Sequence, residues 1–204
     1  MINHQRASRA ARPRPRQRTA PSRLDAHVRP LVPDDYGTIA TLADAWSRGR
    51  FIGVALPRSF FQHFSNTSLV LESGGDIVGV LIGFQSPADR AVAYIHYAAV
   101  SPRCRRRGLG RLLYERFFEH MRLLGCREVQ SIAPPVNSGL IAFHRQLQFE
   151  VVQAGGFANG IVVSLDYAGP GQHRVLFRRE LIAGRAEGEG EALLTLARTA
   201  NKML

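Results

Sequence analysis

Two periods of apolar residues alternate along this chain. Runs with every residue, or every second residue, apolar predict strands over 27–31, 68–72, 77–84, 91–100, 128–133, 149–153 and 174–178. Between them, helical spacing predicts helices over 33–46, 56–63 and 109–124, and a short one after Asn137. In the third helix Leu109, Leu112, Leu113, Phe117, Met121 and Leu124 share one stripe, and Gly125 is a suitable stop. Pro33-Asp34-Asp35 opens the first helix, with proline and acids where unpaired N–H groups and the helix dipole favour them. Ser73-Gly74-Gly75-Asp76 predicts a hairpin turn. Pro134-Pro135 closes the strand 128–133, and Asn137 or Ser138 caps the last helix, whose Leu140, Phe143, His144 and Leu147 share a face. The order β-α-α-β-β-β-α-β-α-β-β, without internal repeat, predicts one α/β (α+β) unit.

Composition narrows the class. The chain has 204 residues, 45% of them hydrophobic, enough for one sizeable core. No apolar run approaches the roughly 20 residues of a membrane span, and residues at the N-terminus lack a signal-peptide core. The two cysteines, Cys104 and Cys126, have no metal-ligand spacing, so no metal is expected and a reduced, cytoplasmic protein is the default. The net charge of +11 suggests a polyanionic partner until its placement is examined. Residues 1–25 hold seven arginines against one acid, Asp25, in a Pro/Ala/Arg segment without apolar periodicity. Such a segment is expected to be disordered. It has no aromatics to stack on bases, so nucleic acid is not the expected partner. The expected organisation is a tail over 1–25, a folded domain over 26–182, and a tail over 183–204 in which Leu193, Leu194, Leu196 and Leu204 allow a short helix.

Candidate chemistry concentrates in Val100-Ser-Pro-Arg-Cys-Arg-Arg-Arg-Gly-Leu-Gly-Arg111, which joins a strand to a helix. The first-turn N–H groups of a helix have no intrahelical partner, and glycine lets a ligand approach them closely. The dipole adds positive potential there. Gly108, Gly110 and the arginines at 103, 105, 106, 107 and 111 therefore read as a phosphate cradle.

These residues resemble the GNAT superfamily of acyl-CoA-dependent N-acyltransferases. The family's core motif is Arg or Gln, two residues, Gly, one residue, then Gly or Ala, after a strand ending Val-x-Pro. Here it stands as Val100-Ser-Pro102 followed by Arg105-Arg-Arg-Gly108-Leu-Gly110. A second segment, Asn137-Ser-Gly-Leu-Ile-Ala-Phe143-His144-Arg-Gln-Leu-Gln148-Phe149, resembles the family's Asn–helix–aromatic–Gly–Phe stretch. Gln148 replaces the usual glycine, and His144 stands where many relatives carry a tyrosine that protonates the leaving thiolate. The resemblance spans about residues 27–180. It implies a mixed, mostly antiparallel sheet of six to seven strands with about four helices, splayed open after the strand 91–100. Acetyl-CoA is the implied co-substrate. Its pantetheine arm would pair with Ala98, Ala99 and Val100, and its pyrophosphate would sit on Arg105, Arg106, Arg107, Gly108, Leu109, Gly110 and Arg111. Asn137 is an implied cofactor contact, although it serves equally as a helix cap.

An amine acceptor arrives protonated and needs a base. On the strand Tyr94-Ile-His-Tyr-Ala-Ala-Val100, His96 is the candidate base, since imidazole exchanges protons near neutral pH. Strand alternation places His96 on the face of Ala98, whose N–H, or that of Val100, is a candidate oxyanion donor, and puts Tyr97 on the other face. By motif position, His144 is the candidate acid. Tyr114 reads as packing. The acceptor side draws on residues 46–64 and 153–173, with Tyr167 and His173 in a turn-rich loop that first reads as surface. The expected activity is acetyl transfer to a primary amine of a small molecule or protein, by direct attack in a ternary complex. A non-catalytic acyl-CoA sensor and a nucleic-acid binder using the arginine tail are the alternatives, and the sequence leaves a homodimer open.

Overall fold

A computed structural model describes residues 26–47, 56–152 and 155–181. The two tails, and part of each segment expected to border the acceptor, lie outside the described residues. Nine strands and four helices make up the described chain: β1 (His27–Pro30), α1 (Tyr36–Trp46), α2 (Arg58–His63), β2 (Leu69–Ser73), β3 (Asp76–Gln85), β4 (Val92–Val100), α3 (Leu109–Leu123), β5 (Glu128–Ala133), α4 (Ser138–Gln146), β6 (Glu150–Val151), β7 (Gly156–Ala158), β8 (Ile161–Val163) and β9 (Val175–Glu180). Seven strands form one sheet in the order β1-β2-β3-β4-β5-β9-β6, with β7-β8 a separate hairpin. Every pairing is antiparallel except β4 with β5, so the sheet is mixed and mostly antiparallel, as expected.

Local chemistry explains the connections. Gly74 and Gly75, at φ +58° and +83°, make the two-residue turn between β2 and β3. Asp35 anchors the start of α1: its carboxylate accepts the Val32 N–H at 2.9 Å and a fork of two hydrogen bonds from Arg29 at 2.7 and 2.8 Å. A Schellman turn ends α4, with Phe149 N–H donating to His144 O at 3.0 Å and Gln148 N–H to Arg145 O at 2.9 Å. Gln148 takes the left-handed conformation at φ +61°, the geometry its glycine-like position requires.

Two apolar layers cover the sheet. α3 packs on one face over Leu71, Leu81, Ala93, Ile95, Val129 and Phe177, and α1 with α2 covers Val70, Val80 and Ile82 on the other. The β7-β8 hairpin, which lies outside the predicted strands, turns on Asn159 and Gly160 at φ +53° and +73°.

Candidate active site

The central event is a parting of β4 from β5. Their ladder runs from Val92–Glu128 to Ile95–Ser131 and stops, while β4 continues to Val100 against β3. The last rung is tied by the Ser131 hydroxyl donating to Ile95 O at 3.3 Å. Beyond it, β4 has one paired edge and one open edge.

The register shows which groups face the opening. Ser101 N–H donates to Val78 O at 2.8 Å, and Val100 stands opposite Gly79. In an antiparallel ladder this makes Val100–Gly79 a non-hydrogen-bonded pair, and Ala98–Leu81 likewise. The N–H and C=O of Ala98 and Val100 therefore point away from β3, into the split. Those of Ala99 point toward β3, and its side chain packs with the α1/α2 layer. Of the three strand positions expected to meet the pantetheine arm, two present backbone groups to the gap.

At the end of β4 the chain makes a short 3-10 turn (Pro102–Cys104) and enters α3 through Gly108, at φ +78°. The first intrahelical bond runs from Leu112 N–H to Gly108 O at 3.0 Å, which leaves the N–H groups of Leu109, Gly110 and Arg111 as the unpaired first turn. Gly110 lies under Phe143, whose ring is 3.3 Å from where a Cβ would stand. Arg106 adopts φ +60° and Arg107 is exposed. Arg105 turns back: its Nε donates to Val100 O at 3.0 Å and its Nη2 to Trp46 O at 3.1 Å. It ties α1 to the end of β4. Arg111 donates to Gln146 O at 3.3 Å, bridging α3 and α4.

The structure corrects the expected geometry of His96. β3 pairs Ile82 with Tyr97 but Gly83 with Ile95, so His96 is the extra residue of a β-bulge. Alternation inverts there. Ala93 and Ile95 face α3, and after the bulge so do Ala98 and Val100. Tyr97 and Ala99 pack on the α1/α2 side, where His96 stacks on Phe60 with ring centroids 4.2 Å apart. His96 thus shares a face with Tyr97, not with Ala98. An aromatic wall of Phe60, Phe64, Phe84 and Tyr94 continues from it, with centroid separations of 4.6 to 6.2 Å.

His144, the expected acid, faces inward at 1% exposure. Its Nδ1 lies 2.9 Å from Leu140 O, and a carbonyl only accepts, so Nδ1 carries the proton. Nε2 is enclosed without a partner, and the ring stacks on Phe177 at 4.6 Å among Tyr114 and Phe149. Burial holds its pKa below the ordinary histidine value, with the Leu140 bond opposing. A neutral ring enclosed in this way is a poor donor to a leaving group in the split. Tyr114 is buried at 2% exposure, and burial pushes its phenol upward. Asn137 is a helix cap, its Oδ1 accepting Leu140 N–H at 3.2 Å. Among the described residues no cluster of metal-ligating side chains occurs, and no helix is long and apolar enough to cross a membrane.

The family model of the GNAT acetyltransferases matches residues 34–149, more than half of the chain. An L-2,4-diaminobutyric acid acetyltransferase of Vibrio parahaemolyticus is 34% identical over 85 residues, 42% of this chain and 47% of that protein. The chain thus spans about half the length of this curated relative. Among solved structures, the diaminobutyrate acetyltransferase of Paenibacillus lautus, in complex with L-2,4-diaminobutyric acid and coenzyme A, superposes with a TM-score of 0.56 at 17% identity, over 80% of this chain and 98% of its own. The Escherichia coli ribosomal-protein-S18-alanine N-acetyltransferase gives a TM-score of 0.59 at 17% identity, over 80% and 99%.

Proposed function

The chain belongs to the GNAT acetyltransferase family, and from that premise we propose that it transfers an acetyl group from acetyl-CoA to a primary amine by direct attack in a ternary complex. The observation that carries the reading is the open edge of β4. Ala98 offers its N–H and C=O, and Val100 its N–H, to an amide-bearing arm, and the free first turn of α3 stands where that edge ends. A phosphate group there would accept N–H bonds from Leu109, Gly110 and Arg111, helped by the exposed charges of Arg106 and Arg107.

The chain's groups divide the chemistry by sheet face and edge. The thioester lies along the β4 edge, where an N–H of Ala98 or Val100 stabilises the oxyanion. The acceptor enters from the α1/α2 face, against the aromatic wall, and His96 on that face takes the ammonium proton directly or through one water. The lone pair of the nitrogen attacks the carbonyl carbon, the C–S bond breaks, and the second proton of the attacking nitrogen passes through water to the departing sulfur, so that amide and CoA thiol result. Positioning supplies much of the rate. A cytoplasmic enzyme fits this reading, since Cys104 and Cys126 are both buried free thiols.

The test is release of free CoA from acetyl-CoA with a panel of amino acids, diamines, aminoglycosides and peptides. Amine-dependent release supports transfer. Saturable acetyl-CoA binding with no release across the panel favours a sensor of the same fold.

A further inference from the structure

On the acceptor side, Arg174 has no carboxylate within 4 Å among the described residues. Arg29, Arg111, Arg116 and Arg178 each stand within 4 Å of a carboxylate. Arg174 does not: its Nη1 donates to His173 O at 2.9 Å and its Nη2 to the Gln172 side-chain oxygen at 3.0 Å, both neutral. The acid in its own loop is engaged elsewhere. Asp166 Oδ1 accepts Gly171 N–H at 2.7 Å and lies 3.5 Å from His173 Nδ1. A partly buried guanidinium bonded to neutral oxygens keeps its positive charge uncompensated, which favours a planar anion beside it.

Its position in the sheet sets what that anion belongs to. The row Ile95–Ser131–Phe177 crosses β4, β5 and β9 at the last rung before the split. Arg174 lies three residues beyond Phe177, across the gap at about the level of Ala98. Val175 and Phe177 pack on the α3 side, so alternation turns Arg174 to the opposite face, the face of Tyr94 and His96. A backbone bridge to Ser164 fixes it there, with Ser164 N–H donating to Arg174 O at 2.8 Å. The Tyr94 phenol, pushed up to about 12 chiefly by burial, stands on that same face against Phe84.

We propose that Arg174 forms a carboxylate-binding subsite on the face of His96, and that the acceptor is an amine that also carries a carboxylate: a free amino acid or diamino acid. The inference rests on the acetyl-transfer reading. The guanidinium fork holds the carboxylate, the aromatic wall lines the path, and the amine is presented toward His96 and the thioester.

The experiment pairs each amino acid with its decarboxylated counterpart: 2,4-diaminobutyrate with 1,3-diaminopropane, lysine with 1,5-diaminopentane, phenylalanine with phenethylamine. Binding to the CoA-loaded protein is measured by calorimetry, and CoA release from acetyl-CoA in parallel. At least one amino acid is expected to bind tenfold or more tightly than its counterpart, about the contribution of a charged hydrogen-bonded pair. In R174L, and in R174Q should the first fail to fold, that preference vanishes while affinity for CoA and for the diamine is unchanged. Equal binding within every pair, no binding by any amino acid, or a preference that survives both variants overturns the subsite. Preferential binding without CoA release leaves the subsite standing and removes the transfer reading. Release that ignores the carboxylate does the reverse.

Discussion

His96 and Ala98 stand two residues apart on β4 yet face opposite sides of the sheet, because the bulge at His96 shifts the pairing with β3. The bulge sends the imidazole to the α1/α2 side and leaves the Ala98 N–H on the open edge. In the proposed reaction, base and oxyanion donor then address the reacting carbon from two directions. A nucleophile and a thioester need that arrangement, since the amine approaches out of the plane in which the carbonyl oxygen is held.

His96→Ala is expected to lower turnover on the order of 10²-fold or more, with acetyl-CoA affinity retained. The acidic limb of the pH–rate profile should disappear with it. Steady-state kinetics across pH, with calorimetry for the cofactor, separate the two effects. A near-wild-type rate in His96→Ala means that solvent removes the proton and His96 serves the stack on Phe60.

His144 is expected to govern stability rather than turnover. Burial holds its pKa below the ordinary value, so as pH falls the unfolded chain takes up the proton before the folded one does. The stabilisation is complete above about 6.5, the ordinary histidine value, and is lost as pH falls through it toward the lower folded value. His120, also lowered by burial, acts with the same sign. His144→Phe keeps the aromatic packing on Phe177 and removes the enclosed, unpartnered Nε2. Melting curves between pH 5 and pH 8 should show a shallower acid loss in the variant, at a rate of turnover within a few-fold of wild type. A 10²-fold loss of turnover at unchanged stability would instead assign His144 to proton transfer.

Gln148 offers a test of backbone strain. It holds φ +61° at the position that closes the Schellman turn of α4, where glycine carries no Cβ penalty. Gln148→Gly is expected to raise stability by up to about 1 kcal/mol, read as a shift in denaturation midpoint at constant slope. An unchanged or lowered midpoint means that the side chain or the unfolded-state entropy of glycine outweighs the strain.

The seven strands of the main sheet, the helices and the Gly108 turn are legible from the sequence because each rests on local patterning. Leu109, Leu113, Phe117 and Met121 at helical spacing are the buried stripe of α3. The bulge is not legible, since it arises from the pairing of Ile82 and Gly83 with Tyr97 and Ile95, a tertiary fact without a local signature. The β7-β8 hairpin did carry a signal: Asn159-Gly160 between apolar pairs is a two-residue turn sequence. For His144 two cues conflicted. Its helical face with Leu140, Phe143 and Leu147 points to burial, its motif position to chemistry, and the packing follows the helical face. Arg174 carries no sequence signal; its lack of an acidic partner emerges only once Asp166 is seen bonded within its own loop.

The split sheet and the first turn of α3 are the proposed seat of acetyl-CoA, and calorimetric titration tests that most directly. Wild-type protein should bind acetyl-CoA saturably at one site per chain, and dephospho-CoA more weakly, because the exposed arginines beside the turn lose the 3′-phosphate. Gly108→Val should abolish the binding, since a branched side chain at φ +78° both strains the turn and fills the approach to the free N–H groups. Absence of saturable binding by the folded wild-type protein, or full affinity in folded Gly108→Val, would contradict the account.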